Sequence, residues 1–219
     1  MNFKNIFLGY VPKNKNACFD WISLFNTYKE NVKNKHIVIE TGASYFDRTV
    51  DLSKYCKKLI GIEKYKNRIP ELGNLSNINY LVGKWEQLSN FFQEESIDII
   101  ISSHVIEHIE NDLLCINESY KILKKGGILL FNTPNRKRLT RVIIEIFTGK
   151  RSFPFWEHQR EYIKSDLQKL IDKSHFNTNN VEIKGIAFGL HGGNFYFYLK
   201  KFPLLFEKYS SFWQVKMIK

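Results

Sequence analysis

Ile97-Asp98-Ile99-Ile100-Ile101-Ser102-Ser103-His104-Val105-Ile106-Glu107-His108 opens the stretch that decides the fold, and Lys124-Lys125-Gly126-Gly127-Ile128-Leu129-Leu130-Phe131-Asn132-Thr133-Pro134-Asn135 closes it. The first apolar run stops abruptly at Ser, His, Glu and His. Between the two runs, Ile109, Leu113, Ile116, Tyr120 and Leu123 recur at helical spacing, with Glu110, Asp112 and Lys121 on the other faces. The pattern predicts strand, helix, strand. Gly126-Gly127 is expected to end the helix, and His104 and His108 share one helical face if it begins there. Polar side chains then stand at both strand carboxyl ends, where open parallel sheets bind their ligands.

Working outward, His36 to Gly42 reads as a buried strand entering a glycine turn, and Val50, Leu52, Tyr55 and Cys56 suggest a helix. Leu59 to Glu63 is a second strand ending in an acid, 66–72 a short helix, Ile78 to Val82 a third strand and 85–93 another helix. Downstream, Leu139, Val142, Ile143, Ile146 and Phe147 form an apolar stripe flanked by Arg136, Lys137, Arg138, Arg141, Lys150 and Arg151. Ser165-x-x-Gln168 reads as a capping box, Val181 to Phe188 as a sixth strand and Trp213 to Ile218 as a final one. Cys18, Trp21, Ile22, Phe25 and Tyr28 predict an amphipathic helix within 16–34. Strands alternating with helices over short connections make this an α/β fold with a parallel, doubly wound sheet.

Composition sets the remaining bounds. A chain of 219 residues with 43% hydrophobic and 15% aromatic content can fill a core and is not a disordered polymer. No run approaches the ~18 apolar residues of a membrane span, so no transmembrane segment is expected. Lys4, Lys13 and Lys15 interrupt any signal-like stretch. Cys18, Cys56 and Cys115 lie far apart, which fits buried thiols in a reducing, cytoplasmic setting. The net charge of +11 favours an acidic partner such as nucleic acid, an anionic headgroup or an acidic glycan, although Lys, Asn and Ile run high throughout the chain.

These motifs resemble the class I S-adenosylmethionine-dependent methyltransferases, in particular their small-molecule, lipid and glycan branch, over about 36–135. The resemblance implies a Rossmann-like sheet of about seven strands, the last antiparallel, with helices on both faces. It implies a single domain over 1–219: an N-terminal helical extension (1–35), a cofactor-binding core (36–135), an acceptor-side insertion (136–163) and a C-terminal helix and strands (164–219). Glu40-Thr41-Gly42-Ala43-Ser44-Tyr45-Phe46 stands where the family has an acid and a glycine-rich turn, with Ser44 and Phe46 replacing further glycines. The implied cofactor contacts are Glu40, Gly42 and Ser44 at this turn, Glu63 at the ribose with Lys64 beside the adenine edge, and Lys84, Trp85 and Glu86 at the adenine. Ser103 and His104 would complete the set near the methyl donor. Glu63 lies 21 positions past Gly42, close to the roughly 20-residue offset of ribose-binding acids.

By the same resemblance, His104, Glu107 and His108 face the acceptor together with His158. The last lies in Glu157-His158-Gln159-Arg160-Glu161-Tyr162, similar to a lid segment of glycan-modifying members. Three readings of these residues stay open: helix capping and positioning, a general base for an acceptor hydroxyl, or a divalent metal site. The third is loosely similar to the small-RNA 2′-O-methyltransferases, although His104 stands where they carry Glu; a resident metal is not the expected cofactor. The expected reaction is O-methylation of a glycan, glycolipid or small-metabolite hydroxyl, on an acceptor of acidic character. RNA is the enzymatic alternative, and a non-catalytic module with the same fold is the other. Peripheral membrane contact through the basic helix 136–151 is a further expected partner interaction.

Overall fold

The computed structural model describes residues 27–43, 46–69, 76–150, 157–192, 195–199 and 201–219. Most of the expected N-terminal helix lies outside these residues; 27–31 are helical. Among the described residues nine strands follow: β1 (Ile37–Thr41), β2 (Lys58–Glu63), β3 (Ile78–Val82), β4 (Ile97–Ser103), β5 (Leu123–Pro134), β6 (Val181–Ile186), β7 (Phe188–Gly192), β8 (Phe195–Leu199) and β9 (Phe212–Ile218). Four further α-helices accompany them among the described residues: α1 (Phe46–Ser53), α2 (Asp112–Ile122), α3 (Leu139–Thr148) and α4 (Lys164–Asp172).

Seven strands form one sheet in the order β3-β2-β1-β4-β5-β9-β6, and β7 and β8 form a separate hairpin. Pairing from β3 through β5 is parallel, whereas β9 runs antiparallel to both β5 and β6. The expected seven-stranded sheet with an antiparallel last strand is the observed one. β2 lies on one side of β1 and β4 on the other, so the chain reverses direction across the sheet between them. That leaves a crevice at their carboxyl ends.

β4 shows why the sheet is buried on both sides. Ile100 packs with Trp85, Cys115, Ile116, Leu167 and Ile171 on one face, while Ile99 and Ile101 pack with Tyr28, Val32, Leu52 and Leu130 on the other. Successive side chains of a strand point to opposite faces, so an unbroken Ile run suits a strand covered twice.

Several local expectations change. Gly126 and Gly127 do not end α2; they lie within β5, where pairing slips from Ile97↔Leu123 to Ile99↔Ile128. Gly126 is left-handed there (φ +75°), and a Cβ on Gly127 would come within 2.8 Å of the Lys124 carbonyl oxygen. The glycines serve a bulge, which sequence alone cannot tell from a helix stop. The helix after β4 starts at Asp112, capped by Asn111, whose side chain accepts the Leu114 N–H; 106–108 form only a single 3₁₀ turn. His104 and His108 therefore do not share an α-helical face. Residues 85–90 are 3₁₀ with a kink at Gln87, and only Lys66–Arg68 of 66–72 is helical among the described residues. α4 begins at Lys164, and the Asp166 carboxylate, not a Ser165–Gln168 box, accepts the Ile163 N–H at 3.1 Å.

α3 departs most from its stripe. It packs against β7, its one buried residue is Arg141, and Ile146 and Phe147 are 73% and 85% exposed.

Candidate active site

The carboxyl ends of β1, β2 and β4 bring the expected cofactor residues to one rim. Glu40 is buried and accepts a hydrogen bond from Thr49 Oγ1 at 2.6 Å, which fixes its carboxylate toward α1. Gly42 is left-handed (φ +68°) and its N–H donates to the Ile62 carbonyl at 2.8 Å, locking the turn onto β2. A Cβ at Gly42 would clash with Val105 Cγ2. The glycine is thus required both by its backbone angle and by a side chain from the β4 loop. Ser44 lies outside the described residues. Glu63 is buried at the end of β2 and accepts the Tyr65 N–H at 3.0 Å; Lys64 beside it is exposed.

The third-strand loop divides its residues. Lys84 is exposed, Glu86 is half-buried, and the Trp85 indole points into the core, donating to Ser119 Oγ at 2.8 Å and meeting Phe131 edge-on. Its ring thus packs within the core. Two further residues, not singled out from sequence, sit at the crevice. Thr41 and Ser102 are register neighbours on β1 and β4, and both hydroxyl oxygens are buried with no hydrogen-bond partner. Buried polar atoms are normally paired, so an orphaned pair at this point suits the polar end of a bound cofactor.

Beyond β4, His104 takes a left-handed backbone (φ +55°), uncommon outside glycine although tolerated better by His, Asn and Asp. Its N–H donates to the Asn132 carbonyl, and its Nδ1 lies 3.3 Å from the fully buried Glu107 carboxylate. Thr133 Oγ1 donates to the other Glu107 oxygen at 3.1 Å. The Glu107 carbonyl accepts the Gln159 and Arg160 N–H groups, so 157–162 is stitched directly to the end of β4.

That stitching brings His158 to His108, with ring centroids 4.8 Å apart. His108 Nδ1 bonds the Glu157 carbonyl at 2.8 Å and His158 Nδ1 lies 3.0 Å from Glu161 Oε1. A carbonyl can only accept, so His108 carries its proton on Nδ1 and presents Nε2 as an acceptor. Glu161, to which the sequence pattern assigns no role, anchors the cluster. Arg138 and Arg141 reach its carboxylate at 2.7 and 3.3 Å. Burial alone would raise the Glu161 pKa; the His158 hydrogen bond and the two arginines outweigh it and hold the carboxyl down at about 2.

Comparison with known proteins shows what this geometry is similar to. Residues 41–131 match the family model described as methyltransferase domain. Over these residues the chain is similar to a methyltransferase domain. The mitochondrial ubiquinone biosynthesis O-methyltransferase of Dictyostelium discoideum is 29% identical over 172 residues, covering 69% of this chain and 52% of that protein. The chain thus spans about half of that relative's length. Among solved structures, an S-adenosylmethionine-dependent methyltransferase from Thermotoga maritima superposes with TM-score 0.64 at 20% identity, covering 91% of this chain and 89% of that one. The N-methyltransferase NodS from Bradyrhizobium japonicum gives 0.59 at 15% identity, covering 91% and 94%. These structures share the fold; NodS is named for a nitrogen acceptor and the Dictyostelium relative for an oxygen acceptor. S-adenosylmethionine is the cofactor of this family, and the orphaned Thr41 and Ser102 hydroxyls fit a polar ligand at its site.

Proposed function

We propose that this methyltransferase carries the sulfonium methyl of S-adenosylmethionine to a hydroxyl of a small-molecule or glycan acceptor, with His104 as the base. The observation that carries this reading is the His104–Glu107 pair at the end of β4. A fully buried carboxylate 3.3 Å from Nδ1 favours the tautomer with its proton on that nitrogen. The opposite ring nitrogen is then the one able to take a hydroxyl proton. Bound S-adenosylmethionine would supply the electrophilic carbon and leave as a neutral thioether. The chain's own part is to hold the cofactor through Glu63 and the Gly42 turn, align the acceptor oxygen and keep water away. Alignment alone provides much of the acceleration in such a displacement.

Calorimetric titration with S-adenosylhomocysteine tests the cofactor half of this reading. Micromolar binding is expected, weakened roughly 10–100-fold in Glu63→Ala by loss of a charge-assisted hydrogen bond. No heat at millimolar ligand, or an unchanged affinity in the variant, would overturn it.

One observation favours a second reading, a metal-assisted reaction. Ligand atoms of Glu107, His108 and His158 lie within 4.8 Å of one another, a carboxylate and two imidazoles. Both histidines direct Nδ1 to an oxygen, the arrangement that orients metal-binding rings. These three would hold a divalent ion that lowers the pKa of an acceptor hydroxyl. If the ion is resident, Mn²⁺ raises the Tm of the wild type but not of His108→Ala, and chelation stops turnover. A Tm indifferent to Mn²⁺ together with full activity in chelator removes this reading.

A further inference from the structure

A row of uncharged polar side chains crosses the sheet just beyond the cofactor crevice. Ser103 of β4 is in register with Asn132 of β5, and Asn132 with Gln214 of β9. Parallel and antiparallel register partners point to the same face, so the three side chains stand side by side, about 5 Å from strand to strand. Asn132 is fully buried and Gln214 is 7% exposed. Ser103 Oγ, both Asn132 amide atoms and Gln214 Nε2 are buried with no hydrogen-bond partner.

Four unpaired polar atoms in one row are costly, and native proteins keep such groups mainly where a ligand or ordered water completes them. The position argues for a ligand. β1 and β2 carry the candidate cofactor residues, and the row leads away from them through β5 to β9. It starts one residue before His104, and Phe212, two positions before Gln214 and so on the same face, meets the His104 ring edge-on at 5.0 Å.

We propose that Ser103, Asn132 and Gln214 form the acceptor-reading site of this enzyme, and that they recognise two adjacent oxygens on a neutral ring. The inference rests on the methyl-transfer reading above. A primary amide offers a donor and an acceptor side by side. One ring hydroxyl donates to Asn132 Oδ1 while its neighbour accepts from Nδ2, with Ser103 Oγ and Gln214 Nε2 closing the ends. This arrangement selects a vicinal hydroxyl pair over a lone hydroxyl and brings one of the two oxygens beside His104. The pair can belong to a diphenol or to a sugar.

Binding is measured by ligand-observed NMR on the full chain saturated with S-adenosylhomocysteine, using catechol and methyl α-mannopyranoside against phenol and cyclohexanol. At least one vicinal diol is expected to bind 10-fold or more tightly than its one-hydroxyl counterpart, and the preferred one identifies the source. Asn132→Leu removes the preference, leaves S-adenosylhomocysteine affinity unchanged and raises the Tm by about 2–4 °C, because an unpaired amide gives way to an apolar group of similar size. Gln214→Leu is the second variant, expected to weaken diol binding several-fold with no loss of Tm. Equal binding of diols and mono-ols, or no diol binding, overturns the proposal. A lower Tm in both variants also overturns it, since the amides would then be completed by internal water. Failure of S-adenosylhomocysteine to bind at all is a different result, one that refutes the methyl-transfer reading.

Discussion

Glu161→Gln is expected to destabilise the protein by about 3 kcal/mol at neutral pH, a fall in Tm of roughly 10 °C. The carboxylate is fully buried, receives Arg138 and Arg141 and sits 3.0 Å from His158 Nδ1. Its pKa falls from 4.5 to about 2 on folding, because these partners outweigh burial, which acts in the opposite direction. A depressed carboxyl contributes stability in full above the unfolded value and loses it as pH falls through the folded value. The wild type is therefore expected to keep this contribution above about pH 5 and shed it toward pH 2, whereas Glu161→Gln has a flatter acid limb. Removing one partner of a buried ionic group is costly because the remaining guanidiniums keep their desolvation penalty. Urea melts of both proteins between pH 3 and pH 7 give the comparison. Equal stability at pH 7 would mean that solvent already screens the cluster.

The second large effect falls on catalysis. His104→Asn is expected to lower kcat about 10²–10⁴-fold, the span contributed by a positioned general base, while S-adenosylhomocysteine affinity stays within a few-fold of wild type. Asparagine is the informative replacement because it tolerates the left-handed backbone that His104 adopts (φ +55°) yet cannot take a proton at neutral pH. The acid limb of the pH–rate profile should disappear with the imidazole. Glu107→Gln should act through the same ring, lowering kcat while leaving KM for the cofactor unchanged. A variant at position 104 that keeps full kcat would assign the histidine to packing against Phe212 instead.

The sheet was legible in the sequence because its signals are local. Unbroken β-branched runs such as Ile97–Ile101 mark strands covered on both faces, and Glu63 falls at its offset from Gly42 through strand and helix lengths alone. The same locality misled at Gly126-Gly127. A glycine pair serves a bulge as well as a helix stop, and an aromatic or apolar residue does not declare which surface it meets.

What the sequence determined by itself, then, is the Rossmann-like sheet, its carboxyl-end crevice and the methyltransferase resemblance, since periodicity encodes backbone geometry and burial. Only the tertiary structure decided the company each site residue keeps. His158 meets His108 across 50 positions because the Glu107 carbonyl binds the backbone of 159 and 160. Glu161 collects two arginines from the segment around the start of α3. Asn132 acquires Ser103 and Gln214 through strand register. These contacts depend on the path of the folded chain, and neither periodicity nor residue spacing carries that path.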